Sequence, residues 1–94
     1  MILEAAILDV IVGKEKEFED FLRSIIDIAY KSNGCIKHDL HRSLKDPKSF
    51  MFYENWTSKE AHDNHVKRPE VQKWRSKLDS YLSEPFKANI WETI

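Results

Sequence analysis

The chain has 94 residues, of which 33% are charged and 41% are apolar, and its formal net charge is -1. These values predict one globular domain over residues 1–94. Lys and Arg are spread along the chain, whereas a nucleic-acid-binding protein usually has a basic patch or stripe, so nucleic acid is not an expected partner. A domain of this size buries only about 60% of its unfolded surface, which favours association with a second chain.

The sequence contains no recognisable targeting or membrane segment. The N-terminus starts with a strand pattern and lacks the basic region and long apolar run of a signal peptide. No segment approaches the ~20 apolar residues that a membrane-spanning helix requires. We therefore expect a cytoplasmic protein that does not bind a membrane.

The first predicted element is a strand over Ile2–Val12, in which apolar residues occupy both alternating sets of positions. This pattern predicts that both strand faces are covered. Gly13 ends the strand, and Lys14–Lys31 follows as an amphipathic helix with apolar residues at the 3.6-residue period. The Ser32–Gly34 segment stops that helix, because Gly or Asn can adopt the left-handed conformation.

A hairpin is predicted next. Its first strand, Cys35–Ser43, is the more polar one, the turn is Leu44–Lys48, and the second strand, Phe50–Trp56, is apolar on both faces. Cys35 is the only cysteine, so an internal disulfide is impossible. A lone thiol at the start of a strand is more often a small inert residue than a nucleophile.

Helices follow the hairpin. Thr57–Glu60 fits a capping box, in which Thr57 accepts from the Glu60 amide and Glu60 reaches back. A short helix is expected to run to about Lys67. Pro69 breaks it, and a separate helix is predicted over Glu70–Leu82.

The second of these helices has a predicted buried stripe, formed by Val71, Trp74, Leu78, Tyr81 and Leu82. Pro85 ends the helical region. Phe86–Thr93 is the last predicted strand, and its alternation places Ile90 and Trp91 on opposite faces.

The order of elements is strand, helix, strand, strand, helices, strand. With right-handed crossovers, this order predicts an α+β ferredoxin-like sandwich with a four-stranded antiparallel sheet and helices on one face. The first and third strands are apolar on both sides, and a large exposed apolar patch is uncommon on a monomer. We therefore expect a homodimer in which two sheets pack face to face.

The chain resembles the antibiotic biosynthesis monooxygenase family, whose members are small dimeric ferredoxin-like proteins that form an α/β barrel. The resemblance extends over essentially the whole chain. It rests on the element order, on Asn33–Cys35 leading into His38–Ser43, and on Phe52–Trp56 followed by a helix that carries His65. The family includes quinol and polyketide monooxygenases, haem-degrading enzymes and a signal-molecule isomerase, so the resemblance is more specific for fold than for reaction.

Three positions depart from the family pattern. His38 stands where many members have a tyrosine in the second strand, and Glu70 stands where many have a second histidine after the short helix. Haem-degrading members use an asparagine in the first strand, and the equivalent position here is near Ala6. Haem degradation is therefore disfavoured.

His65 is the predicted catalytic residue. A neutral imidazole titrates near pH ~6.5 and can accept a phenol proton, and the resemblance adds weight to this role. The alternative is a histidine that only packs at a helix end.

His62 lies three residues earlier and shares the helix edge, but two histidines are fewer than the three ligands of a zinc site, and His38 and His41 lie on opposite strand faces. No metal site is predicted.

The predicted substrate-binding residues are Phe52, Tyr53, Asn55, Trp56, His38 and His62. The aromatic side chains could stack on a substrate ring or form plain core, and Asn55 could orient a substrate oxygen or cap a turn. His38 is either a second base or a half-exposed strand residue.

Glu54 shares a face with Phe52 and Trp56, where a carboxylate needs a partner, and we expect a dimer-crossing salt bridge with Arg42.

The sequence has no glycine-rich phosphate loop, nucleophile elbow or dinucleotide fingerprint, so no cofactor is expected. The leading hypothesis is a cofactor-independent monooxygenase that oxidises a small aromatic substrate, a quinol or polycyclic phenol, with dioxygen. Two alternatives remain open. One is an isomerase of a small phosphorylated or carbonyl metabolite that uses the same histidine, and the other is a non-catalytic small-molecule binding or stress-response module.

Overall fold

The computed structural model describes residues 1–94. The elements in chain order are β1 (Ile2–Asp9), α1 (Glu15–Tyr30), β2 (Cys35–Arg42), β3 (Ser49–Trp56), α2 (Lys59–Val66), α3 (Pro69–Leu78), a 3-10 turn (Asp79–Tyr81) and β4 (Asn89–Glu92). The strands form one antiparallel sheet in the order β2-β3-β1-β4. The predicted ferredoxin-like α+β fold is confirmed.

Two strands are shorter than the apolar pattern predicted. β1 ends at Asp9 because the next amides bond outside the ladder, Val10 N to Lys48 O and Ile11 N to Tyr81 O. β4 begins at Asn89 because the amide of Phe86 donates to Asp79 Oδ1 at 2.9 Å. In both segments apolar side chains enter the core although the backbone does not pair as a strand.

The start of α2 lies one residue later than predicted. Ser58 is the N-cap, with extended backbone and a side chain that accepts from Ala61 N at 3.1 Å. Thr57 N donates to Gly34 O instead. Gly34 has φ +84°, and a Cβ there would lie 2.5 Å from Ala61 Cβ, so glycine allows the start of β2 to approach α2 closely.

The core lies between the helices and one face of the sheet. Aromatic and aliphatic side chains fill it, among them Ala6, Leu8, Phe18, Leu22, Ile25, Phe50, Phe52, Val71, Trp74 and Leu78. The predicted stripe of the last helix is confirmed for Val71, Trp74, Leu78 and Leu82, while Tyr81 is partly buried. No helix is long and apolar enough to cross a membrane.

The other sheet face carries no helix. Leu3, Ala5 and Ile7 project from β1 on this side, and Trp91 projects from β4 opposite Leu3. Ile7 is 63% exposed and Trp91 is 58% exposed, so large apolar side chains lie uncovered on this open face.

Candidate active site

A cluster of ionisable side chains is buried between the sheet and the last two helices. Its members are at most 6% exposed, namely Glu4 of β1, Glu54 of β3, His38 of β2, and His62 and His65 of α2. Arg75 of α3 closes one side of this buried cluster. So many titratable groups in the interior of a small protein are unusual, because burial disfavours charge unless it is paired.

The pairing register of the sheet explains how three members meet. Glu54 is paired directly with Glu4 on β1 and with His38 on β2. Side chains of paired residues lie on the same sheet face. His38, Glu54 and Glu4 therefore form a polar row across three neighbouring strands, on the face that the helices cover.

Glu4 is the fully paired carboxylate of this row. Arg75 Nη2 lies 2.7 Å from Glu4 Oε2, and His62 Nε2 donates to Glu4 Oε1. Burial alone would raise the pKa of Glu4, but the hydrogen bond from His62 and the charge of Arg75 lower it. The bond to Glu4 raises the pKa of His62, which favours the charged imidazolium beside this carboxylate.

Glu54 has weaker partners. Its Oε1 accepts from the Trp56 indole N–H at 2.9 Å, whereas Oε2 has no hydrogen-bond partner in the protein. Arg75 Nη2 is 3.7 Å from that oxygen. Burial, assisted by the nearby charge of Glu4, raises the pKa of Glu54 to about 7. Glu54 is therefore a carboxyl group that can gain or lose a proton near neutral pH.

His38 is fully buried, so its interpretation as a half-exposed strand residue is wrong. The Tyr30 hydroxyl accepts from His38 N at 2.9 Å and donates to His38 O at 3.2 Å. The ring Nδ1 lies 3.2 Å from Ile26 O of α1. Burial lowers the pKa of the His38 imidazole, and the bond to Ile26 opposes this effect.

His65 packs against the Trp56 ring, with the two ring centroids 4.6 Å apart. Its Nδ1 is 2.8 Å from Ser32 Oγ, which also accepts from Arg68. Its Nε2 is buried and has no hydrogen-bond partner in the protein. Burial, followed by the charge of Arg75, lowers the pKa of His65 to about 4, so the ring is neutral throughout the neutral pH range.

A cleft of about 490 Å³ opens between the end of α1 and α2. His65, Ser32, Arg68 and Lys31 contribute to its wall, which is almost entirely polar. His65 is therefore the member of the buried cluster that borders this cleft.

The predicted substrate-binding residues are not gathered into one aromatic pocket. Phe52 and Trp56 are fully buried on the helix side of β3 and line no part of the cleft. Tyr53 and Asn55 point to the open face and are partly buried. His38 and His62 belong to the buried cluster, so these two and Trp56 are the members that lie near His65.

Glu54 does not have the partner that we predicted. Arg42 lies 3.0 Å from Glu19 of α1, and Glu54 points towards the helices rather than the open face, so a dimer-crossing bridge to Arg42 is wrong. The nearest cation to Glu54 is Arg75. A signal for the cluster was present in β1, where Glu4 interrupts an otherwise apolar set of positions, but the positions of Arg75 and Ser32 depend on tertiary packing.

Other reactive groups do not form a second centre. Burial and the nearby Glu54 raise the pKa of the Cys35 thiol to about 11, so the thiolate is scarcely populated. No group of three or more His, Cys, Asp and Glu side chains has the arrangement of a metal site. His62 and His65 have separate partners, Glu4 and Ser32.

The chain is similar to known proteins over most of its length. A family model described as "Antibiotic biosynthesis monooxygenase" matches residues 1–77. Uncharacterized protein YczJ of Bacillus subtilis (strain 168) is 30% identical over 87 residues, which are 92% of this chain and 90% of the relative. Uncharacterized protein sll1783 of Synechocystis is 25% identical over 79 residues, 84% of this chain but 54% of that protein, so the chain spans about half of its length.

Solved structures share the fold. A conserved protein of Methanosarcina mazei Go1 superposes with a TM-score of 0.92 at 24% identity, covering 99% of this chain and 92% of that chain. Rv0793 of Mycobacterium tuberculosis gives 0.89 at 18% identity, covering 99% and 94%. SnoaB of Streptomyces nogalater, described as a cofactor-independent oxygenase, gives 0.87 at 16% identity, covering 98% and 91%.

Proposed function

This chain belongs to the antibiotic biosynthesis monooxygenase family, and from that membership we propose that it is a cofactor-independent monooxygenase that oxidises a quinol or polycyclic phenol with dioxygen. The observation that carries the proposal is His65, a buried neutral imidazole that packs against Trp56 and whose Nε2 has no partner in the protein. Unpartnered buried polar atoms are rare in native proteins and concentrate at functional sites.

His65 takes the phenol proton in this proposal. Ser32 Oγ accepts from Arg68 and has a second lone pair, so Nδ1 of His65 can donate to it and leave Nε2 as the acceptor. The phenol O–H bond breaks, the proton moves to Nε2, and the electron pair stays on the phenolate oxygen. A pKa of about 4 makes His65 available but weakly basic, so the proton must pass to a better acceptor.

Electrons come from the substrate itself. The phenolate is electron-rich and reduces dioxygen directly. When one oxygen atom is added to a ring methylene carbon, that carbon becomes a carbonyl, and the second oxygen atom leaves as water with the two displaced hydrogens. A simple quinol instead gives two electrons and two protons, which yields the quinone and hydrogen peroxide. Product analysis distinguishes these outcomes.

Phe86 marks the place where a planar ring would enter. Its ring stacks on Phe52 with centroids 5.4 Å apart and planes inclined by 19°. The Arg75 guanidinium carbon lies 5.6 Å from the Phe86 centroid. Phe86 is only partly buried and lies in the irregular segment before β4, so an aromatic substrate that displaces it would meet the same stacking and cation–π partners.

The proposed working form is a homodimer. The open face exposes Ile7 and Trp91, and a second copy that packs sheet to sheet would bury both. Such packing forms the α/β barrel that the family resemblance implies.

Oxygen uptake tests the function. Purified protein, treated with chelator, is mixed with a panel of naphthohydroquinones and polycyclic phenols in an oxygen electrode. Uptake above the uncatalysed rate, with a stoichiometric oxidised product, is expected for at least one compound. Rates equal to the protein-free rate across the whole panel would overturn the proposal.

The polar cleft favours a second candidate, an isomerase of a small anionic carbonyl metabolite. Lys31, Arg68 and hydroxyl groups line this cleft, and His65 forms part of its wall. The same histidine would then move a proton between two carbon atoms of the substrate. This candidate differs in one measurable respect, because it predicts turnover under anaerobic conditions.

A further inference from the structure

Two buried polar atoms that lack a protein partner face each other in the polar row. His38 Nε2 and Glu54 Oε2 are 3.6 Å apart, and neither forms a hydrogen bond within the protein. Each atom is fully enclosed, since His38 is 1% and Glu54 is 0% exposed. An unsatisfied buried polar atom costs free energy, so two of them at the same point require a physical explanation.

The position of the ring hydrogen on His38 follows from its other nitrogen. Nδ1 lies 3.2 Å from the carbonyl oxygen of Ile26, and a carbonyl can only accept, so Nδ1 carries the hydrogen. In the neutral ring, Nε2 then carries a lone pair and can only accept a hydrogen bond. An ionised Glu54 also presents only lone pairs. With both side chains in these forms two acceptors would face each other at 3.6 Å, and a proton on one of them removes this repulsion.

Of the two buried carboxyl groups, Glu54 is the one whose surroundings favour the protonated form. On the neighbouring strands it faces Glu4, His38 and Cys35, and on the helices it faces His62 and Arg75.

The two cations among these groups both bond to Glu4, Arg75 at 2.7 Å and His62 through Nε2. Two neighbouring buried carboxyl groups do not both ionise readily, and the one with fewer donors retains its proton.

We propose that Glu54 and His38 hold one proton between them and that this pair is the proton store of the site. The stored proton stands on the geometry alone, and its part in turnover rests on the proposed oxygenase function. The empty pair can take up a proton released during turnover, and the loaded pair can return one when reduced dioxygen needs it. Glu54 and His38 act through His65 and are positioning residues.

The charge state of the pair suits this exchange. Burial raises the pKa of Glu54 to about 7 and lowers the pKa of His38, so the carboxyl group and not the ring loads near neutral pH. Both loaded and empty pairs are then populated at working pH, which is the condition for efficient proton exchange.

Infrared difference spectroscopy between roughly pH 6 and pH 8 tests the shared proton, because it detects the carbonyl stretch of a protonated carboxyl group. Exposed carboxyl groups are ionised throughout this range. We expect a protonated carboxyl band at the lower pH that disappears at the higher pH, is absent in Glu54→Gln and persists in Glu17→Gln, an exposed control on α1. A wild-type spectrum without the band, or a band that Glu54→Gln retains, would overturn the proposal.

Nitrogen NMR of histidine-labelled wild-type protein gives a second test that does not depend on a variant folding. His38 Nδ1 should stay protonated over the same pH range, while the Nε2 signal shifts as the carboxyl band disappears. A His38 ring that becomes doubly protonated, or an Nε2 signal that does not change, would contradict the shared proton.

Activity separates this proposal from the proposed function. If the enzyme oxidises a quinol, Glu54→Gln should lower kcat at least about ten-fold and leave KM within about two-fold, because proton transfer and not binding is affected. If the pair titrates but the protein shows no oxygen uptake, the proposed oxygenase function is wrong and the proposed proton store is retained. If oxygen is taken up but the pair does not titrate, the oxygenase function is retained and the proton store is wrong.

Discussion

Arg75 Nη2 lies 2.7 Å from Glu4 Oε2, and this ion pair connects α3 to the central strand β1 inside the protein. Glu4 is 1% exposed and the Arg75 side chain 17%, so water screens the pair little. The ion pair holds the helix that covers Glu54 and keeps Glu4 ionised. The stability of the fold and the chemistry of the site therefore depend on the same contact.

Arg75→Met should destabilise the protein by about 3 kcal/mol, since removing one partner of a buried ion pair leaves the Glu4 carboxylate with His62 as its remaining basic partner. Lys16→Met is the matched control, because Lys16 forms an exposed pair with Asp20 and should change stability by less than ~1 kcal/mol. Urea unfolding of both variants measures the difference. Equal effects of the two substitutions would show that the interior pair is not stabilising.

The raised pKa of Glu54 should make the stability of the protein depend on pH. Its pKa is about 7 in the folded protein and near 4.5 ordinarily, so between these values the unfolded chain releases a proton that the folded protein keeps. The stability that this group contributes is present below pH 4.5 and is lost as the pH rises to 7. Relative to Glu54→Gln, wild type should lose up to ~3 kcal/mol across this window. Parallel pH profiles of the two proteins would contradict this.

The lowered pKa of His65 should make folding stability change with pH in the opposite direction. Its pKa falls from 6.5 to about 4 on folding, so its contribution is present above pH 6.5 and is lost as the pH falls to 4, where the unfolded chain gains the proton. His65→Gln should therefore resist acid better than wild type by up to ~3 kcal/mol near pH 4. His41→Gln, at an exposed position on β2, should follow wild type. Denaturant midpoints measured across this range would refute the account if His65→Gln and wild type lost stability together.

The dimer can be tested through the open face. Wild type should sediment as a dimer at micromolar concentration, and Ile7→Lys should shift it to monomer, because a charge would be buried against the second sheet. Val12→Lys is the control, because Val12 is an apolar side chain outside β1 that is also largely exposed, 76% against 63% for Ile7. A monomeric wild type, or a dimer unaffected by Ile7→Lys, would exclude this interface.

The fold was predictable because its signals are local. The short apolar runs of β1 and β3, the helical period of α1 and the glycine at Gly34 each fix a short segment, and right-handed crossovers arrange them. The errors at Thr57 and Phe86 have the same cause. In each case the backbone amide bonds outside the predicted element, Thr57 N to Gly34 O and Phe86 N to Asp79 Oδ1, and this bond sets where the element begins.

The site was less predictable because it depends on pairs that are distant in sequence. His65 and Trp56 were identified from their spacing, but their neighbours Glu4 and Arg75 are 71 residues apart in the chain. No sequence pattern links them. Glu54 could be recognised as a carboxylate on an apolar face, but the predicted partner was Arg42, whereas the nearest cation is Arg75, 21 residues further along the chain.

The most direct test of the central claim is oxygen consumption by wild type, His65→Ala and His41→Ala on a naphthohydroquinone panel. The account predicts uptake by wild type, a loss of about 100-fold or more in His65→Ala, and an unchanged rate in His41→Ala, since general-base catalysis contributes on this scale. Uptake that survives in His65→Ala would remove that residue from the mechanism. An absence of uptake in all three proteins would contradict the oxygenase itself.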